Sequence, residues 1–233
     1  MKRLINIICA LAAVFLMLAG CTKKDSVTYS GLEAGKIGSG IFTTDNGVEM
    51  KVVGNDGKYD VTTERRVLVD YTTRPGMGAK PVDIDVNVLW DALMVPTCSS
   101  DLLPKETSDA PIRISSAWFN AGYLNVLASV KCKDLSQHMV LAAYAATAEG
   151  ITLRLYHDAK IEQSATSGSA QDIFACVPMS DIAVAYEHCC QAVGKKPLSS
   201  IPVLLQWTWY ALDEKGPVTL YERKVTYNPS ASN

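Results

Sequence analysis

Three histidines, His138, His157 and His188, and five cysteines, Cys98, Cys132, Cys176, Cys189 and Cys190, are the side chains of the main body that could ligate a metal or attack a substrate. Zinc needs three or four such groups converging, usually presented as closely spaced pairs. No Cys-x-x-Cys and no His-x-x-x-His occurs, and the run His188-Cys189-Cys190 would point three ligands in different directions on a helix. No metal and no cofactor is expected. Hydrolase chemistry has no better footing, since Gly-x-Ser-x-Gly is absent and His157-Asp158 has no nucleophile assigned to it by spacing. The chain therefore reads as non-enzymatic, with no catalytic residue. An odd number of cysteines leaves at least one unpaired within a monomer. Cys132 and Cys176 occupy apolar strand positions and read as buried thiols that pack as small hydrophobes. Cys98 could pair with Cys189 or Cys190.

Cys21 offers a different chemistry. Met1, Lys2 and Arg3 form a short positive start, followed by the 15-residue apolar run Leu4 to Leu18, whose one polar side chain is Asn6. This is the pattern of a secretory signal, and it is short of the roughly 20 residues a membrane-spanning helix needs. Leu18-Ala19-Gly20-Cys21 resembles the lipobox of bacterial lipoproteins. In that motif the small residues admit the signal peptidase and the cysteine sulfur takes a diacylglycerol. The resemblance implies cleavage after Gly20 and acylation of Cys21, with palmitate among the acyl chains. Each buried methylene contributes about 0.8 kcal/mol, so several chains anchor a protein to a membrane without a helix. Thr22 stands where lipoproteins retained at the inner membrane often carry Asp, which implies the outer membrane; periplasmic face and cell surface are both left open. Loss of Lys2 and Arg3 leaves 20 basic against 24 acidic residues, a net charge of −4 that gives anionic lipid no attraction.

Short alternating segments cut by turn residues must position everything else. Residues 22–35 lack apolar periodicity and read as a flexible tether spanning about 20 Å. Ile37 to Thr43 and Val48 to Val53 flank Thr44-Asp45-Asn46-Gly47, a hairpin signal. With Val67 to Tyr71 and the alternating Val82, Ile84, Val86 and Val88, four or five strands fit into residues 36–96, the size of a small barrel. Residues 97–110 are rich in Ser, Thr and Asp around Pro104 and read as a linker. Seven strands then follow in 111–229, spaced as in a sandwich. Ile182, Ala183, Tyr186, Cys189, Cys190 and Val193 break the pattern and predict a short helix, with Ser180 able to cap it. Val218 and Leu220 share one parity while Val225 and Tyr227 share the other, which predicts a bulge near Glu222. The expected fold is all-β: a small barrel, a sandwich and one short helix.

In this order and spacing, the lipobox, Arg66-Val67-Leu68-Val69-Asp70-Tyr71, Asp83 to Leu89, Tyr123-Leu124-Asn125-Val126, the His138 strand and Leu153-Arg154-Leu155-Tyr156-His157-Asp158 resemble the NigD-like family of Bacteroidetes lipoproteins. The resemblance covers most of the chain beyond the signal. It implies an OB-like barrel at 36–96 ahead of a β-sandwich at 111–229, with the signal peptide at 1–20 and the lipidated cysteine and tether at 21–35. The family has no catalytic motif to carry over, and its founding name comes from a bacteriocin-associated locus.

OB-like barrels often hold single-stranded nucleic acid in a basic, aromatic groove. Residues 36–96 carry 7 basic and 9 acidic side chains and four aromatics, Phe42, Tyr59, Tyr71 and Trp90, so no nucleic acid partner is expected. Trp118, Phe119, Trp207, Trp209 and Tyr210 could stack on sugar rings. Alternation with Val203, Leu205 and Ala211 instead predicts Trp207 and Trp209 in the core and Tyr210 on the more exposed face. Two function classes remain. One is an envelope lipoprotein whose β domains bind a protein partner or act structurally, and the other is a glycan-binding accessory lipoprotein.

Overall fold

The computed structural model describes residues 28–74, 81–135, 138–159, 169–210 and 217–229. The lipobox Leu18, Ala19, Gly20 and Cys21 lies outside them. Five strands open the described chain: β1 (Ser30–Gly38), β2 (Ile41–Thr44), β3 (Glu49–Gly54), β4 (Arg65–Thr73) and β5 (Val82–Met94). They follow the order β3-β2-β1-β4-β5, and a parallel pairing of Met50 to Val82 between β3 and β5 closes the ring. This five-stranded closed connectivity is that of an OB-fold. Phe42, Ile37, Val67, Val69 and Ile84 fill its interior, none more than 1% exposed.

β1 starts earlier than the sequence indicates. Residues 30–35, expected in the tether, pair with β4 from Ser30–Thr72 onward. Their lack of apolar periodicity has a steric cause: a Cβ on Gly35 would lie 2.2 Å from the Thr43 carbonyl oxygen, and one on Gly31 would meet the Tyr71 ring. Small residues are therefore what this strand needs. A turn at Ser39 and Gly40, both at positive φ, splits the expected strand Ile37 to Thr43 into β1 and β2. The Thr44 to Gly47 hairpin forms as its chemistry predicts, with Gly47 at φ 77°.

Eight further strands are β6 (Thr97–Ser99), β7 (Arg113–Asn120), β8 (Tyr123–Cys132), β9 (Met139–Thr147), β10 (Gly150–Asp158), β11 (Ser169–Pro178), β12 (Ile201–Tyr210) and β13 (Val218–Tyr227). One sandwich sheet runs β11-β8-β7 and is joined to the barrel through β5; the other runs β13-β12-β10-β9-β6. Leu124, Val126, Ala128, Val130 and Cys132 face inward from β8, as alternation predicts, against Leu153, Leu155, Val203 and Leu205. The helix α1 (Ser180–Ala192) packs on β9 and β10 through buried Ile182, Tyr186 and Cys190. Its N-cap is Met179 and not a capping Ser180, whose hydroxyl reaches only Asp181. Val193, expected on the apolar face, is 61% exposed.

The segment 97–110 is pinned, in contrast to a free linker. β6 pairs with β9, and the Asp109 carboxylate accepts hydrogen bonds from Arg154 at 2.5 Å and Thr208 at 2.7 Å. That last bond explains a second difference. Thr208 is buried, whereas Trp207, Trp209 and Tyr210 are all half-buried: Trp207 still packs against the sandwich core, as alternation predicts, but Trp209 does not join it. Trp207 also stacks across strands on Tyr221, and Trp209 lies edge-on to Tyr210. Truncating Trp209 to alanine is accordingly expected to cost about 1 kcal/mol, well below the 3 to 5 typical of a core aromatic, as urea denaturation would read. No bulge forms near Glu222: β12 and β13 stay in register from Ile201–Tyr227 to Tyr210–Val218, which leaves Val218 and Leu220 on the outer face, 50% and 43% exposed.

Candidate functional site

β5 belongs to two structures at once. Its first part completes the barrel, pairing with β4 through Val67–Asp91 and with β3 through Met50–Val82. Its last residues, Ala92 to Met94, run parallel to Phe174 to Cys176 of β11. The barrel consequently covers the outer face of the β11-β8-β7 sheet. Ile173 to Val177 is buried on both faces, which is why that stretch reads as an uninterrupted apolar run. Ala34 and Leu68 of the barrel meet Phe174 and Cys176, with Trp90, Trp118, Tyr123 and Leu127 packed around them.

A polar network runs through this junction. Arg66 on β4 donates from both terminal nitrogens to the Asp45 carboxylate at 2.8 Å, and Nη2 also reaches Asn125 Oδ1 at 2.8 Å. Its Nε lies 3.3 Å from the Cys176 sulfur, and its guanidinium sits 4.4 Å from the centre of the Tyr123 ring. The Arg66 and Asp45 side chains are 9% and 5% exposed. Burial pushes the Cys176 thiol up and Arg66 opposes the shift, so Cys176 holds its proton at neutral pH. Cys98, Cys176, Cys189 and Cys190 are free thiols, so Cys98 is not bonded to Cys189 or Cys190. Cys189 donates to the Ala146 carbonyl and Cys190 is buried.

Where β5 swings away from β11 into the barrel, a cleft of about 310 Å³ opens. Trp90, Leu93, Leu135, Val140, Ile173 and Phe174 make its apolar lining. Asp91, Asp172, His138 and His157 supply the polar groups. Pockets of this size and lining, placed between two folded units, are the usual form of a binding site. Spacing alone does not join His138 and His157, and the structure brings them together: His138 Nδ1 lies 2.7 Å from His157 Nε2, with the rings stacked at 4.9 Å. His157 Nδ1 donates to the Pro111 carbonyl at 3.3 Å. Its Nε2 therefore accepts from His138 Nδ1. His188 is elsewhere, exposed on α1. The four-residue separation rules that detect paired ligands in one element could not find a pair in which His157 comes from β10 and His138 from the turn just ahead of β9. Among the described residues no group of three His, Cys, Asp or Glu forms around them.

His157 is 1% exposed, and burial above all holds its pKa below the ordinary 6.5, with His138 adding to the effect and the Pro111 bond opposing it. The unfolded chain thus takes up this proton first as pH falls. Stability attributable to His157 is present above about pH 6.5 and is lost as pH drops from there toward the folded value. Urea unfolding at pH 7.5, 6.5 and 5.5 is expected to show this loss, with a shallower pH dependence in His157→Gln.

Comparison with solved structures places the fold among proteins of Bacteroides and Parabacteroides. A NigD-like immunity protein from Bacteroides caccae superimposes with a TM-score of 0.60 at 20% identity, over 86% of this chain and 97% of that one. A candidate lipoprotein from Bacteroides fragilis gives 0.58 at 11% identity, over 84% and 97%. A candidate toxin-related protein from Parabacteroides distasonis gives 0.55 at 15%, over 88% and 96%. No family model matches the sequence, and no curated protein matches it. The likeness is one of fold across nearly the whole described chain, and it agrees with the family resemblance carried by the sequence motifs.

Proposed function

We propose that this chain is a non-enzymatic lipoprotein of the NigD-like kind, held in the outer membrane by acyl chains on Cys21 and presenting its barrel and sandwich to a protein partner. The observation that carries this reading is the cysteine placed directly behind Leu18-Ala19-Gly20 at the end of an apolar run too short to span a bilayer. Support comes from the fold shared with the Bacteroides fragilis candidate lipoprotein and the Bacteroides caccae immunity protein. Among the described residues no helix is long and apolar enough to cross a membrane. In this reading residues 1–20 are the signal peptide, 21–29 the lipidated cysteine and tether, 30–96 the barrel and 111–229 the sandwich, with the pinned segment 97–110 between them.

Cys21→Ser is expected to abolish acylation and shift the protein out of the membrane fraction. Mass spectrometry of the mature amino terminus together with fractionation checks it, and an uncleaved Met1 to Gly20 would overturn the anchor. Protease treatment of intact cells separates a surface from a periplasmic location. Chemical crosslinking in envelopes, followed by mass spectrometry, tests the protein partner, and capture of none defeats that part of the reading.

Glycan binding is the second reading, favoured by one observation: Trp209 and Tyr210 are half-buried at the end of β12 instead of sequestered in the core. A glycan array comparing the wild type with Trp209→Ala decides it, since the substitution should leave the fold intact and remove any stacking platform.

A further inference from the structure

The cleft beside β5 has a wall made of backbone. Cys176 O accepts a hydrogen bond from Val95 N–H at 2.9 Å, so the peptide groups of Cys176 point toward β5. Alternation along a strand sends those of Phe174, Asp172 and Ala170 to the same side. Phe174 is met by Ala92, where the pairing with β5 begins. Upstream of it β5 has turned into the barrel, while β8 continues to occupy the other edge of β11 as far as Ser169. Among the described strands none pairs with this edge of β11 from Ser169 to Ile173. At about 3.3 Å per residue it is roughly 15 Å long, room for a strand of five residues.

The side chains around that edge are selective. Trp90, Leu93, Leu135 and Phe174 give the floor and rim apolar surface, and Asp91 and Asp172 are the charged residues of the lining. Asp91 binds Arg65 through Oδ1 yet stays 67% exposed, and Asp172 is exposed. No lysine or arginine lines the cleft among the described residues. An open strand edge bordered by acidic groups, above an apolar cavity, matches a ligand that adds by backbone hydrogen bonds and carries alternating apolar and basic side chains.

We propose that the free edge of β11 and the adjoining cleft form a docking slot in which an extended, basic segment of a partner protein adds as a strand beside Asp172. This rests on the reading of the chain as a partner-binding lipoprotein and names where and how the partner binds. The partner strand lies on β11 in the place β5 vacates, seats one apolar side chain between Trp90 and Ile173, and sets a lysine or arginine against Asp172.

The test titrates the full chain, extracted in detergent, with two fluorescein-labelled pentapeptides, KLVLK and its acidic counterpart ELVLE, by fluorescence anisotropy. Saturable binding of KLVLK at least tenfold tighter than that of ELVLE is expected, together with slowed hydrogen exchange at the Ala170 and Asp172 amides. Asp172→Lys, at an exposed position where the fold tolerates it, should reverse the preference. Equal binding of both peptides, no binding of either, or indifference to Asp172→Lys overturns the slot. Self-association by light scattering that Asp172→Lys abolishes also overturns it, because the edge would then belong to a second copy. A partner captured by crosslinking that ignores Asp172→Lys defeats the slot alone, whereas capture of no partner defeats the underlying reading.

Discussion

Replacing Arg66 with alanine is expected to lower unfolding free energy by about 3 to 5 kcal/mol, the typical cost of removing one partner from a buried ion pair. The reason is what remains. Asp45, 5% exposed, would lose the two hydrogen bonds and the cation that now pair it. Asn125 and Cys176, both buried, would lose the donor that orders them, and Tyr123 would lose the cation above its ring. Because Asp45 and Arg66 come from the barrel while Tyr123, Asn125 and Cys176 come from the sandwich, the damage falls on the junction. A companion variant, Asp45→Asn with Arg66→Met, removes both charges and should recover much of the loss. Guanidinium denaturation of the wild type and both variants measures this; equal stability of Arg66→Ala and wild type would show that the network contributes nothing.

Phe42→Ala is expected to cost a comparable 3 to 5 kcal/mol by opening a cavity in the barrel. Phe42 is fully buried among Ile37, Val67 and Ile84, with its ring 6.4 Å from that of Tyr71. The informative part is how the loss is distributed. β5 is both a barrel strand and the neighbour of β11, so loosening the barrel should also release Ala92 to Met94 from the sandwich. A single calorimetric transition shifted to lower temperature is the expected result. Two transitions, with the upper one unmoved, would mean that the barrel melts alone.

Much of the architecture was legible because the inward faces of β8 and β10 alternate cleanly and the turns carry glycine at positive φ, as at Gly47. The departures share one physical origin, contacts made by a second element against what looks like a solvent face. Asn125 alternates as an outward residue and is nonetheless fully buried, because the barrel rests on it. Thr208 takes the buried position beside two tryptophans because Asp109 crosses over it. Gly31 and Gly35 conceal a strand, since close approach of Tyr71 and Thr43 excludes the side chains that would have revealed one. The cleft was illegible for the same reason. His138 and His157 come from separate stretches of chain, one ahead of β9 and one on β10, and among the described strands β5 meets β11 only from Phe174 onward.

The sharing of β5 also sets a timetable for folding. The strand's last residues find their parallel partner only after β6 to β10 have been made or exported, since Ala92 waits for Phe174. Until then Leu93 and Met94, both exposed even in the finished fold, sit on an unpaired edge next to a barrel that can already close. Parallel pairing over so long a separation is intrinsically slow, and an uncovered apolar edge is a hazard for association with other chains while it lasts. A chain that emerges across a membrane amino end first would present this half-finished edge for most of its passage. In the proposed lipoprotein reading, chaperones that shield this edge during export would govern how much of the protein reaches the membrane.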